Sequence, residues 1–180
     1  MIKLQGNGLY LAALDREYCQ KLWDDYEYDF INMTEPLYIG KSRSSADDWF
    51  EELKKQQGNV QIRLGIFLPD NSIIGDIALQ EIDWKNRSCS IGLSISKIEN
   101  RSKGYGSEAL RVLLEYAFLN IGLERIYAET LEQNKPAIKS LEKCNFVFEG
   151  KERKAVYLAG KRWDRLRYSI LIEEYKDPAK

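Results

Sequence analysis

The sequence predicts an α/β (α+β) fold, a mixed and mostly antiparallel central sheet with helices on both faces. Three observations carry this. Apolar strands follow one another through residues 60–95 with short polar turns between them, the pattern of a meander. From Tyr105 the apolar spacing becomes helical, through Ala109, Leu110, Leu113, Leu114, Ala117, Phe118 and Ile121. Strands then alternate with helices, which a mixed sheet covered on both faces accommodates.

Each element has its own signal. Residues 9–14 read as a short strand, and Asp15 as the N-cap of a helix running to about Phe30. Residues 32–43, with Pro36 and Gly40, are a loop. Ser45 and Asp48 have the spacing of a capping box opening a helix through Gln57, which Gly58-Asn59 stops. Residues 60–68 are an apolar strand, Pro69-Asp70-Asn71-Ser72 a hairpin turn, and residues 73–82 the returning strand. A polar turn at 85–88 leads to a third strand over 89–95. Gly122 closes the helix begun at Tyr105, and residues 125–131 form the next strand. Asn134 caps a helix with Pro136 in its first turn, ending near Cys144. A strand begins at 146–149, and residues 156–158 and 167–172 pair around Ala159-Gly160. The order β-α-α-β-β-β-α-β-α-β-β has no repeat and no linker, so one domain is expected over residues 1–180, with its core at about 9–172.

Composition narrows the function. With 180 residues, 44% of them hydrophobic, the chain can bury a sizeable core. A net charge of −1 gives no global support to nucleic-acid binding. No segment approaches the ~20 consecutive apolar residues of a membrane helix. The opening MIKLQGNGLYLAAL lacks a signal-peptide run, so a cytoplasmic protein is expected. Cys19, Cys89 and Cys144 are far apart, with no CxxC, and histidine is absent, so neither a metal site nor a disulfide framework is expected. Any general base is therefore a carboxylate, a tyrosine, a lysine, a thiolate or a water chain.

The strongest local signal is Arg101-Ser102-Lys103-Gly104-Tyr105-Gly106, between the strand ending at Ile95 and the helix opening at Tyr105. First-turn amides of a helix have no internal partners and can point at a phosphate, and glycines let the backbone come close. Arg101 and Lys103 add positive charge. The loop is neither GxxxxGK[ST] nor GxGxxG, so the expected ligand is a pyrophosphate-bearing molecule outside those two classes.

Four features in register resemble the GNAT superfamily of N-acetyltransferases, in its RimJ/RimL-like branch of ribosomal-protein N-acetyltransferase type. R-x-x-G-x-G resembles the coenzyme A pyrophosphate loop. The strand Ile91-Gly92-Leu93-Ser94-Ile95 is similar to the family strand lying along the pantetheine arm. Asn134-Lys-Pro-Ala-Ile-Lys-Ser-Leu-Glu142-Lys143-Cys-Asn145-Phe146 resembles N-x-x-[AS]-x-x-x-[YL]-E-K-x-G-F, and the segment from Glu149-Gly150 to Tyr168 resembles the branch's EG…Y…G…D…Y tail. The likeness runs from about Leu9 to Ile172. It implies a GNAT fold with acetyl-CoA as co-substrate, bound by Leu93, Ser94, Ile95, Arg101, Ser102, Lys103, Gly104, Tyr105, Gly106, Ser107, Asn134 and Lys143, and no metal.

The chain departs from the family at four positions. Asn145 replaces a glycine, in a left-handed helix end that asparagine tolerates. Leu141 stands where many relatives have the tyrosine that protonates the leaving thiolate. Ala137 replaces a frequent serine, and Ser90 a frequent glutamate. Two usual catalytic assignments are thus missing. The resemblance implies the backbone amide near Ser94 or Ile95 as oxyanion donor. Glu81 is the favoured base, with Asp83 or a water chain as alternatives. Asp24, Asp25, Glu27 and Asp29 form an acidic patch able to attract a cationic amine, and Tyr26, Tyr28, Phe30, Trp49 and Trp84 are candidates for an aromatic acceptor pocket. The expected reaction is acetyl transfer to a primary amine by direct attack in a ternary complex. A protein N-terminus, a polyamine, an amino sugar and an antibiotic are all open as acceptors, and the chain is expected to be a monomer or homodimer. The alternative class is a non-catalytic acyl-CoA-binding or regulatory module.

Overall fold

The structure, a computed structural model, describes residues 2–29 and 42–175. The elements run β1 (Lys3–Gln5), β2 (Tyr10–Ala12), α1 (Arg16–Asp24), α2 (Ser44–Gln56), β3 (Ile62–Phe67), β4 (Ile73–Asp83), β5 (Ser88–Ile95), α3 (Tyr105–Glu115), β6 (Arg125–Leu131), α4 (Lys135–Lys143), β7 (Val147–Leu158) and β8 (Lys161–Leu171). A short 3-10 turn at Ile98–Asn100 precedes α3, and a π turn at Tyr116–Asn120 extends it. The strands form one sheet in the order β1-β2-β3-β4-β5-β6-β8-β7. Every neighbouring pair is antiparallel except β5 and β6. The expected α/β (α+β) architecture, a mostly antiparallel sheet between helices, is what the chain adopts.

Alternation along the strands sorts the core into two layers. Ile77, Leu79, Ile91 and Ile95 face α3, where Ala109, Leu110, Leu113 and Leu114 complete the larger cluster. Tyr10, Ala12, Phe67 and Ile73 face the other way and pack with Cys19 and Leu22 of α1 and Leu53 of α2. Leu113, wholly buried, contributes about 1.5–3 kcal/mol by leaving water, as any such side chain does. Among the described residues no helix is long and apolar enough to cross a membrane.

Several elements differ from the sequence expectation. β1 is extra; three residues with one half-buried position carry too little pattern to read. α1 stops at Asp24 instead of running to Phe30, which lies outside the described residues. The chain leaves the helix because the sheet captures it, the Glu27 amide donating to the Ser96 carbonyl at 3.0 Å. The capping box at Ser45 and Asp48 does not form; α2 starts two residues earlier than that box requires, and its N-cap Arg43 makes no side-chain cap bond. Most of the expected loop at 32–43 lies outside the described residues. β7 and β8 are far longer than the apolar segments that announced them, with 12 and 11 residues. β7 is an edge strand whose middle is exposed on both faces, so it needs no apolar alternation there.

One feature of the sheet sets the geometry around the end of β5. β5 stays paired with β4 as far as Ile95, and β6 with β8 as far as Leu131. Yet β5 and β6 pair with each other only at Ser88–Arg125, Cys89–Ile126 and Ser90–Tyr127. Beyond that last rung the strands part, opening a wedge-shaped gap through the sheet.

Candidate functional site

The gap exposes backbone groups of β5. Antiparallel ladders alternate, each residue bonding to one neighbouring strand or pointing away from it. Ser96 donates its amide to the Ile74 carbonyl at 3.0 Å, and the β4–β5 register pairs Asp76 with Ser94 and Gly75 with Ile95. Ser94 and Gly92 therefore turn their backbone groups toward β4, whereas Leu93 and Ile95 turn theirs into the gap. The carbonyls agree. That of Ile95 accepts from Arg101 Nε at 3.0 Å. That of Ser94 lies 2.1 Å from where a Cβ on Gly75 would be; only glycine tolerates such an approach. Of the two amides considered for an oxyanion, Ile95's faces the gap and Ser94's does not. Leu93, half exposed, supplies a second.

The phosphate loop follows at the end of β5. Ser102 (φ 60°) and Gly104 (φ 91°) both adopt left-handed backbone, and successive amides in such turns form a concave anion nest. Gly104 is the N-cap of α3 without a side-chain cap bond, so the first-turn amides of Tyr105, Gly106 and Ser107 meet no cap from within the helix. Space above Gly104 is open. Lys103 is exposed beside it. α4 borders the loop: Cys144 Sγ donates to the Ser107 carbonyl at 3.4 Å, which brings Lys143, at the end of α4, close to the first turn of α3. At the other end of α4, Asn134 Oδ1 accepts from the Ala137 amide at 3.2 Å, the cap its position announced. These groups fit a long anionic ligand running from the α3 N-terminus into the gap.

Arg101 is placed differently from the sequence expectation. Its guanidinium donates to the carbonyls of Ile95 (3.0 Å), Glu27 (2.7 Å) and Ser96 (3.1 Å) and lies 3.6 Å from Asp29. It latches the segment after α1 to the end of β5. The acidic patch is similarly engaged. Asp25 pairs with Lys21 and Lys97, Asp24 with Arg43 and Asp29 with Arg101, while the Glu27 carboxylate accepts from the Ile98 amide at 2.6 Å. The aromatic candidates are distributed over several places. Tyr26 and Tyr28 make an edge-on pair after α1, Trp49 packs in the smaller core near Arg63, and Trp84 donates to the Asn59 carbonyl at the β4–β5 turn. Phe30 lies outside the described residues.

On the opposite side of the sheet from α3, Glu81 lines a cavity of about 290 Å³ with Gln56, Val60, Gln61, Gln80 and Ser90. Its carboxylate accepts from the Tyr127 hydroxyl at 2.8 Å. Tyr127 was not singled out in the sequence; the available signal was its alternation with Ile126 and Ala128, whose side chains enter the core. Asp83, the alternative carboxylate, is occupied by the Asn86 amide and side chain, which hold its pKa below the usual range. Burial pushes the Cys19 and Cys89 thiols up to about 12 and that of Cys144 to about 11, which removes thiolate chemistry at neutral pH. Leu141, in the position of the family tyrosine, is buried.

A sheet parted beside an anion nest, with a carboxylate on the opposite face, leaves room for an anionic ligand and a second reactant to approach each other. The acetyltransferase (GNAT) domain family matches residues 11–147, and the chain belongs to that family as a GNAT-type N-acetyltransferase. It is 32% identical over 145 residues, 78% of each chain, to a putative ribosomal N-acetyltransferase YdaF of Bacillus subtilis (strain 168). It is 29% identical over 149 residues, 76% of this chain and 86% of the other, to a spermidine N(1)-acetyltransferase of Vibrio cholerae. The crystal structure of a spermidine N-acetyltransferase from Vibrio cholerae in complex with CoA and spermine superimposes with a TM-score of 0.83 at 24% identity, covering 93% of this chain and 98% of that one.

Proposed function

We propose that this chain transfers the acetyl group of acetyl-CoA to a primary amine by direct attack in a ternary complex. The observation that carries the reading is the gap itself. The Leu93 side chain reaches the α3 side, 3.4 Å from the Cβ position of Gly106, while Ser90 lines the Glu81 cavity on the other side. Cofactor and acceptor can therefore meet through the sheet from opposite faces.

Bound acetyl-CoA supplies an acetyl thioester as electrophile. Tyr105, Gly106 and Ser107, with Ser102, Lys103 and Gly104, hold its pyrophosphate, and Lys143 adds charge. The Leu93 and Ile95 amides line the pantetheine, and that of Leu93, the nearer of the two to Glu81 along the sheet, donates to the thioester oxygen as it gains charge. The C–N bond forms as the C–S bond breaks, and the sulfur keeps the electron pair. Glu81 accepts the proton that the amine gives up. No side-chain acid is required at sulfur, because a thiol with a pKa of about 8.5 leaves readily as thiolate.

Relatives named for spermidine and for ribosomal proteins support an amine acceptor, either a small molecule or a protein N-terminus; an amino sugar or antibiotic belongs to the same chemical class. Three free thiols suit a reducing cytoplasm. Thiol release from acetyl-CoA with spermidine, glucosamine, kanamycin and an alanine-initiated peptide tests the reading. Glu81→Gln should lower kcat by roughly 10²–10⁴-fold at neutral pH while leaving CoA affinity unchanged. Buried Leu141 in place of the family's tyrosine favours a second reading, a non-catalytic acyl-CoA-binding module. CoA binding without turnover of any amine in that panel is its signature.

A further inference from the structure

Glu81 sits where the strand is irregular. The β4–β5 register shifts between Gln80 and Asp83, and Glu81 has φ 52°, a left-handed conformation that a residue with a side chain rarely adopts. An exposed carboxylate on such a bulge has no packing to fix its direction. Its carboxylate is met by Tyr127 Oη, which donates to Oε2 at 2.8 Å.

The geometry of that bond is unusual for a sheet. Glu81 belongs to β4 and Tyr127 to β6, with β5 between them. Neighbouring strands are spaced by ~4.8 Å, so the two backbones are roughly 10 Å apart. The bond therefore crosses above β5 at Ser90, which pairs with Tyr127 in the last rung before the strands part. Tyr127 is itself braced. The Arg167 guanidinium lies over its ring at 5.1 Å, and Arg167 pairs with Glu129, two residues along β6 on the same face. Burial and the bond to Glu81 push the Tyr127 pKa up, so the hydroxyl keeps its proton and acts as a donor.

We propose that Tyr127 is the positioning residue for Glu81, holding the carboxylate by Oε2 at the apex of the β5–β6 gap, where the strands begin to part, and leaving Oε1 to accept the amine's proton. This rests on Glu81 being the base. The family's missing tyrosine is not replaced; a different tyrosine, on a different element, serves the proton-accepting half of the reaction.

The test uses the full-length chain and thiol release from acetyl-CoA with spermidine, glucosamine and an alanine-initiated peptide. Tyr127→Phe removes only the hydroxyl and keeps the ring under Arg167. The expected result is a fall in kcat of roughly 10-fold, the worth of one hydrogen bond to a charged group, with KM for acetyl-CoA and the melting temperature unchanged. In a Glu81→Gln background the same change should have no further effect. Arg167→Gln, which leaves the hydroxyl in place but frees the ring, is the second variant and should lower kcat with the same dependence on Glu81. An impaired Glu81→Gln beside a fully active Tyr127→Phe overturns the positioning role alone. So do losses that multiply independently in the double variant. A fully active Glu81→Gln overturns the base assignment instead, and this inference with it.

Discussion

Arg101 is the residue on which the sequence and the structure make opposite predictions, and Arg101→Ala separates them. In the R-x-x-G-x-G motif it reads as a phosphate ligand. In the structure its guanidinium donates to three carbonyls, those of Ile95, Glu27 and Ser96, at 3.0, 2.7 and 3.1 Å, with the side chain 25% exposed. A hydrogen bond from a charged donor is worth about 1.5–3 kcal/mol when buried, and partial exposure brings each nearer to 1 kcal/mol. Loss of the latch should therefore cost about 2–4 kcal/mol. At 2–4 °C per kcal/mol for a chain of this size, the melting temperature should fall by about 5–15 °C. Lys103→Ala, in the exposed part of the loop, should do the reverse, weakening CoA binding with little effect on melting. Thermal melts and calorimetric CoA titration of both variants provide the comparison. An Arg101→Ala protein that melts like wild type but binds CoA many-fold more weakly would refute the latch and restore the guanidinium to the phosphate.

Three further outcomes follow from the same geometry. Gly104→Val should abolish the melting shift that CoA produces; a Cβ there meets nothing within 4 Å, so the cause is φ 91° itself, which costs a side-chain-bearing residue roughly 1–2 kcal/mol and distorts the nest. Asn134→Ala should cost about 1 kcal/mol as a lost cap and also weaken CoA binding; a stability loss with unchanged CoA affinity leaves it only the cap. Stability should be nearly flat between about pH 6 and 7.5, because the sequence has no histidine, and should decline above about pH 8, where unfolded thiols ionise while the buried ones, at about 11 to 12, cannot. Ion pairs and hydrogen bonds lower the pKa of Asp25 and Glu149, so their contribution is complete above the unfolded carboxylate range and lost as pH falls through their folded values, and on the acid side melting should decline only below about pH 4.5. An inflection near pH 6–7 in a melting series would contradict this.

The parts of the fold that the sequence announced are those where one face is buried. α3 and β6 emerged at or near their observed bounds because their apolar residues must meet one core. The long β7–β8 hairpin was under-read because its outer half is held by pairs such as Arg165–Glu152 and Lys151–Asp164, which leave no periodicity. The α3 nest was legible from glycine and charge, and the Asn134 cap from residue type. Which way the Arg101 side chain turns was not, since a motif fixes a position in the chain and not a rotamer. The acidic patch had the same defect: its partners Lys97 and Arg101 lie about 70 residues away in sequence.

Glu81 shows how a functional placement can hang on a local irregularity. On a regular strand side chains alternate, so Glu81 would share a face with Ile77 and Leu79, toward α3 and into the core. Ile82 would then point with Gln80 to the opposite face. The structure has it the other way: Ile82 is 7% exposed within the α3-facing cluster, and Glu81 lines the polar cavity with Gln80 and Ser90. The bulge between Gln80 and Asp83 makes the exchange. Its cause can be stated from the sequence, because Leu79 and Ile82, three residues apart, cannot both enter one core from an unbroken strand. An extra residue must be taken up between them, and burying Ile82 favours doing so by about 1.5–3 kcal/mol, enough to offset the left-handed backbone at Glu81. Ile82→Thr should therefore act on catalysis through the backbone: with the apolar pull weakened, the bulge loses its cause, Glu81 is no longer held toward Tyr127, and kcat should fall in a protein that still binds CoA. Unchanged kcat in a destabilised Ile82→Thr variant would show that the bulge is set by the β4–β5 turn rather than by the core.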